Sequence, residues 1–120
     1  MRPTIDRTEL GSITIEGVVF EHDVVLSPRG KIKKRKKRLL RAIHGTSHVI
    51  SLDEAKHVYS EGAERLIIGS GQYGMVSLSD EAVDYLWWKN RPIDLVPTDQ
   101  AIRLWNQTRG ETIGLFHVTC

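Results

Sequence analysis

The run Gly69-Ser70-Gly71-Gln72-Tyr73-Gly74 has the spacing G-x-G-x-x-G and follows a short apolar segment. In a dinucleotide site, glycines so spaced let the backbone approach a pyrophosphate, and a helix starts at once to aim its amides at the anion. Here Met75-Val76-Ser77-Leu78-Ser79 intervenes before the next helix signal, and 120 residues are too few for two mononucleotide halves. The run is read first as a structural turn at the carboxyl edge of a sheet. The alternative is a seat for a small anion built from Gly69, Gly71 and Gly74, with His48 and Thr98 beside them.

The other chemistry-bearing residues converge poorly on paper. His44 and His48 would share a face only on a helix, and Gly45-Thr46-Ser47 opposes one. His117 and Cys120 are three apart, so a continuous strand would send them to opposite faces. Cys120 ends the sequence and is expected to be too loosely held for a nucleophile. His57 falls off the apolar stripe of its segment and is expected in solvent. A metal site needs three or four convergent ligands. No metal, no cofactor and no catalytic residue is therefore assigned. Trp87-Trp88 sets two indoles about 100° apart on a helix. Trp87 is expected to join the core, leaving Trp88 as a partner contact.

Charge is distributed unevenly. Nine of the 17 basic residues lie between Arg29 and Arg41, with no acid among them. The remaining eight face all 15 acids, so a +9 segment sits on a −7 body. Lys33, Lys34, Arg35, Lys36, Lys37 and Arg38 are consecutive and must attract something: solvent ions, the acidic body, a partner or a polyanion. The run from Lys31 to Arg41 is expected to face solvent. No aromatic residue interleaves it, so nucleic-acid binding would be weak and non-specific.

These residues must be positioned by ordinary elements. Ser12 to Ile15 alternates, Glu16-Gly17 turns and Val18-Val19-Phe20 resumes, which predicts a hairpin. Asp23 to Leu26 is a third extended piece, stopped by Ser27-Pro28-Arg29-Gly30. Ile32, Leu39, Leu40 and Ile43 would form one stripe of a short helix. Ser51 with Glu54 is a capping box for a helix with an apolar stripe at Leu52, Ala55, Val58 and Tyr59, closed at Gly62. Arg65 to Ile68 is a buried strand, and Met75 to Leu78 a brief extended piece. Ser79 caps a helix from Asp80 to about Asn90, with Val83, Leu86 and Trp87 as its core stripe. Ile93 to Val96 is a strand, Thr98 caps a helix from Asp99 to about Arg109, and Thr112 to Cys120 is a central strand. The alternation predicts an α/β fold with parallel neighbours and an antiparallel N-terminal part.

Length predicts one domain, 1–120, whose folding buries roughly two thirds of its unfolded surface. Hydrophobic residues are 40% and charged residues 27%, as in a soluble domain. A single cysteine fits a reducing compartment. No apolar run suggests a membrane span or a secretory leader. A cytoplasmic protein is expected.

Several segments, taken in order, resemble a known family. They are Gly11-Ser12-Ile13 with Phe20 and Asp23-Val24-Val25, then Gly45-Thr46-Ser47-His48, then Ile67 through Gly74. Thr98-Asp99-Gln100-Ala101 with Trp105-Asn106 and the closing His117-Val118-Thr119-Cys120 complete the set. Their order and spacing resemble the small Mth-type domain family of unknown function. It includes an archaeal structural-genomics prototype, the adipogenesis-associated protein of animals and a mitochondrial complex I assembly factor. The resemblance runs from Leu10 to Cys120 and is closest to prokaryotic members. It implies a three-layer α/β domain, with a mixed central sheet flanked by helices and an N-terminal antiparallel β layer. It implies no catalytic mechanism, and Trp105 stands where relatives commonly carry tyrosine. The leading expectation is a non-enzymatic protein-binding or assembly module with an unidentified protein partner. A small-anion binder or enzyme using Gly69–Gly74 is one alternative. A polyanion binder using Lys31–Arg41 is another. Self-association is compatible with all three.

Overall fold

A computed structural model describes residues 2–35, 48–59 and 63–120. Ten strands and three helices follow one another in the described chain. The N-terminal sheet is an antiparallel meander of β1 (Ile5–Glu9), β2 (Ser12–Ile15) and β3 (Val18–Phe20). The β2–β3 turn falls at Glu16-Gly17, as the alternation predicts. Both residues have positive φ, at 49° and 80°, which suits the tight turn of a right-twisted hairpin. Glu16 is held there because its carboxylate accepts from the Thr4 amide, while the Gly17 amide donates to Asp6.

The central sheet contains β4 (Val24–Leu26), β5 (Ile32–Lys34), β7 (Arg65–Ser70), β9 (Ile93–Val96) and β10 (Thr112–His117). Its order is β5-β4-β10-β7-β9. β10, β7 and β9 run parallel, whereas β4 is antiparallel to both β10 and β5. β10 is central and all six of its residues are buried. The strands β6 (Val49–Ile50) and β8 (Ser77–Leu78) form a separate parallel pair.

Strand alternation sends side chains to two cores. Val24, Leu26, Ile67 and Phe116 meet Ile5, Ile13 and Ile15 of the meander and Ala101, Ile102 and Trp105 of a helix. Leu66, Ile68, Ile113 and Leu115 meet Ile50, Ala55, Ala82 and Leu86 on the opposite face. The layers are therefore meander and α3 (Thr98–Gln107), mixed sheet, then α1 (Leu52–Val58) and α2 (Asp80–Trp88). The Asn106 amide clamps α3 to β1, accepting from Ile5 N and donating to Ile5 O. No helix among the described residues is long and apolar enough to cross a membrane.

Four local expectations need correction. Ser51 caps α1 by accepting from the Glu54 amide, but the Glu54 carboxylate turns to Arg35, so the box is only half formed. Thr98 does not cap α3. Pro97 holds that position without a side-chain bond, and the Thr98 hydroxyl is used elsewhere. The buried side of α2 is Ala82 and Leu86, whereas Val83 and Trp87 are exposed. Ile32 lies in strand β5, not in a helix. Leu39, Leu40, Ile43 and the Gly62 stop lie outside the described residues.

Candidate functional site

The glycine loop lies where β7 ends, beside the start of α3 and the segment that follows β10. Gly69 has no room for a side chain, since a Cβ there would come 2.9 Å from Thr98 Oγ1. Gly71 has φ 103° and Gly74 φ 68°. The Thr98 hydroxyl donates to His117 O at 2.7 Å and accepts from Gly71 N at 2.9 Å. His48 is near as well, its carbonyl accepting from Ser77 N at 2.9 Å. The residues that sequence reading grouped as an anion seat do gather around this loop.

The loop amides, however, already have partners. Gln72 N donates to Thr119 O at 2.7 Å, and Tyr73 N and Met75 N donate to Cys120 O at 3.3 and 3.1 Å. An added Cβ at Gly71 would collide with the Cys120 carbonyl. The geometry is that of a latch on the chain's own backbone. Cys120 is thus held firmly, contrary to expectation. β10 ends at His117, so the face alternation assumed for His117 and Cys120 does not apply. Both reach His48, whose Nε2 is 3.1 Å from Cys120 Sγ and whose ring packs edge-on against His117 at 5.6 Å.

Beneath the latch lies a buried polar quartet that sequence reading missed. Arg35 is 3% exposed and is not on the solvent-facing run expected between Lys31 and Arg41. Its Nε and Nη2 donate to the two Glu54 oxygens at 2.7 and 2.9 Å, a bidentate pair. Its Nη1 donates to Asp23 Oδ2 at 2.9 Å. Asp23 also accepts from His117 Nδ1 at 2.7 Å and from Val118 N at 2.9 Å. Burial pushes the Asp23 carboxyl up, but the His117 hydrogen bond and charge, the Val118 amide and Arg35 outweigh it and hold it at about 2. Burial works against the Arg35 charge too, and Glu54 and Asp23 more than compensate, raising its pKa. His117 Nε2 lies 2.9 Å from Thr119 Oγ1.

Asp23, His117 and Thr119 thus form a carboxylate–imidazole–hydroxyl line. Its members, with His48 and Cys120, line neither the cavity beneath α1 nor the groove beside α2 described below. Among the described residues, no group of three or more His, Cys, Asp or Glu is placed to hold a metal ion. The line and the latch tie β4, β10 and the glycine loop together.

The exposed candidates lie elsewhere. Lys33 and Lys34 are exposed on β5, while Lys36, Lys37 and Arg38 lie outside the described residues. Trp87 and Trp88 are 80% and 83% exposed. Beside them Val83, Trp87, Asn90, Arg91, Pro92 and Ile93 line a groove of about 480 Å³.

The layering defines a mixed α/β protein with an added antiparallel meander. The chain belongs to the family described as protein of unknown function (DUF498/DUF598), whose model matches residues 5–115. A conserved hypothetical protein from Pyrococcus horikoshii OT3 is 31% identical. The match covers 98% of this chain and 99% of that one, with a TM-score of 0.90. The protein MT938 is 28% identical over 98% and 99% of the two chains, with a TM-score of 0.82. A Mth938-like domain from Bordetella pertussis shares the fold at 18% identity, 97% and 85% coverage and a TM-score of 0.60. No curated protein matches the chain significantly.

Proposed function

We propose that this protein is a non-enzymatic binding module whose working surface is the outer face of α2. The observation that carries the reading is the adjacent pair Trp87 and Trp88, 80% and 83% exposed. Two indoles left in water forgo several kcal/mol of burial, roughly 1.5–3 kcal/mol for each large side chain. Exposed tryptophans beside a groove are the anchors from which protein interfaces draw most of their energy. Asp80, Glu81 and Asp84 are exposed along the same helix, against one basic residue, Arg91, in the groove lining. The surface therefore suits a partner protein that offers an apolar segment flanked by basic side chains. The family resemblance, which takes in an adipogenesis-associated protein and a complex I assembly factor, also favours binding over turnover. The latch supports it from the other side, because the glycine-loop amides that would hold an anion are already bonded to the chain itself.

The test is site-specific photo-crosslinking in cells from position 83, with position 111 on an exposed loop as control. A discrete partner should crosslink at 83, weaken on Asp80→Lys with Asp84→Lys, and disappear on Trp87→Ala with Trp88→Ala. A crosslink only to a second copy of the chain would replace the basic partner with self-association and overturn this reading. Equal yields from positions 83 and 111 would overturn it as well.

A further inference from the structure

A cavity of about 290 Å³ opens between α1 and the sheet, and it shares no lining residue with the groove beside α2. Its origin is a mismatch of lengths. α1 has only seven residues, and among the described residues it leaves uncovered part of the sheet face that β4 and β5 extend. Val25 and Ile113 form the sheet side, with Val58 and Tyr59 from the end of α1 opposite. Lys33 pairs with Val25 across the β4–β5 ladder, so it lies on the same face, and Lys33 and Lys34 both line the cavity. His57 joins them at the rim. Glu54 is the acid among the described lining residues, and both of its oxygens are taken by Arg35. An apolar floor with a few charged groups at one side is the usual make-up of a small-molecule site.

We infer that this cavity binds a small apolar monoanion, its hydrocarbon body on Val25, Val58, Tyr59 and Ile113 and its charged head on Lys33. Volume bounds the ligand. A cavity of about 150 Å³ holds one benzene, so this one takes roughly two fused rings. Charge bounds it as well, since Lys33 lies on the cavity face of the sheet with Val25, and Glu54 is paired with Arg35. A cation of the same shape would meet Lys33 directly.

The experiment uses the full chain with 2-naphthoate as probe, and 2-naphthylmethanol and 2-naphthylmethylamine as neutral and cationic comparators. Saturable 1:1 binding of the acid below about 1 mM is expected, since a ligand of this size needs little efficiency per atom to reach that affinity. The alcohol should bind about tenfold more weakly, and added salt should erode the difference. Methyl signals of Val25, Val58 and Ile113 should shift. Lys33→Glu with Lys34→Glu changes two exposed side chains, so the fold should persist while acid binding is lost. Lys33→Arg with Lys34→Arg should keep it. Failure of the acid to saturate, equal binding of all three probes, or methyl shifts confined to other residues would each overturn the inference. None of these outcomes bears on the α2 face, which the crosslinking tests separately.

Discussion

Replacing Arg35 by methionine keeps a long flexible side chain but removes the charge and three hydrogen bonds, two to Glu54 and one to Asp23. The carboxylates left behind are buried, with side-chain exposures of 0% for Asp23 and 2% for Glu54. Asp23 keeps its bonds from His117 and Val118. Removing one partner from a buried ionic group costs about 3–5 kcal/mol, because a charge is stranded. Against a total of roughly 5–15 kcal/mol, that is a large share, and it lowers Tm by about 10–20 °C for a chain of this size. Acid dependence checks the cause. In the native chain Asp23 is depressed from 3.8 to about 2. A depressed carboxyl stabilises above its ordinary value, and that stability is lost as pH falls from 3.8 through 2. It is worth about 2 kcal/mol. In the variant Asp23 loses only the Arg35 attraction, the smallest of the causes that lower it, and keeps His117 and Val118, so this acid-dependent share should largely survive. The gap between variant and native chain should therefore change little between pH 3.8 and about 2. Urea unfolding at several pH values measures it. Adding Glu54→Gln to Arg35→Met should restore part of the loss. A loss under about 1 kcal/mol at neutral pH, or disappearance of the native acid dependence between pH 3.8 and about 2, would refute the reasoning.

Other expectations follow from the same geometry. Gly71→Ala should cost about 2 kcal/mol or more in denaturant melts, since it combines a positive φ with a collision against the Cys120 carbonyl. Gly74→Ala, whose nearest neighbours would be 3.6 Å from the new Cβ, should cost about 1 kcal/mol, the conformational part alone. Phe116→Ala should cost about 3–5 kcal/mol, because Phe116 is fully buried and meets Trp105 edge-on at 6.0 Å. Trp88→Ser should leave stability within about 0.5 kcal/mol, a result that thermal melts resolve and that a ring packed on its own surface would contradict.

Features set by neighbouring residues were legible in the sequence, and features set by distant ones were not. The Glu16-Gly17 hairpin and the Ser51 and Ser79 caps each depend on residues within one turn. The central position of β10 was legible because Ile113, Leu115, Phe116 and Val118 are apolar towards both faces. Thr98 carries the same local signature as Ser51 and Ser79, yet its hydroxyl is claimed by His117, 19 residues away. Arg35 reads as one cation among many. Its burial is decided by Asp23 and Glu54, at separations of 12 and 19 residues, beyond the reach of any helix or strand periodicity. The α2 stripe was misplaced because Ala82, which is 0% exposed, carries a weaker hydrophobic signal than Trp87.

The two violations of ordinary patterning point in opposite directions. A buried arginine breaks the rule that charges stay in water, and the described residues resolve it internally with two carboxylates and full hydrogen bonding. Arg35 therefore speaks of architecture: it ties β4, α1 and β10 around one point. The exposed Trp87 and Trp88 break the rule that large apolar side chains are covered, and nothing among the described residues covers them. A sequence tolerates such a local conflict at low cost only where something else relieves it. For Arg35 the relief is inside the fold. For Trp87 and Trp88 no relief is found among the described residues, which is why the reading proposed above gives the α2 face a partner rather than the glycine loop a ligand.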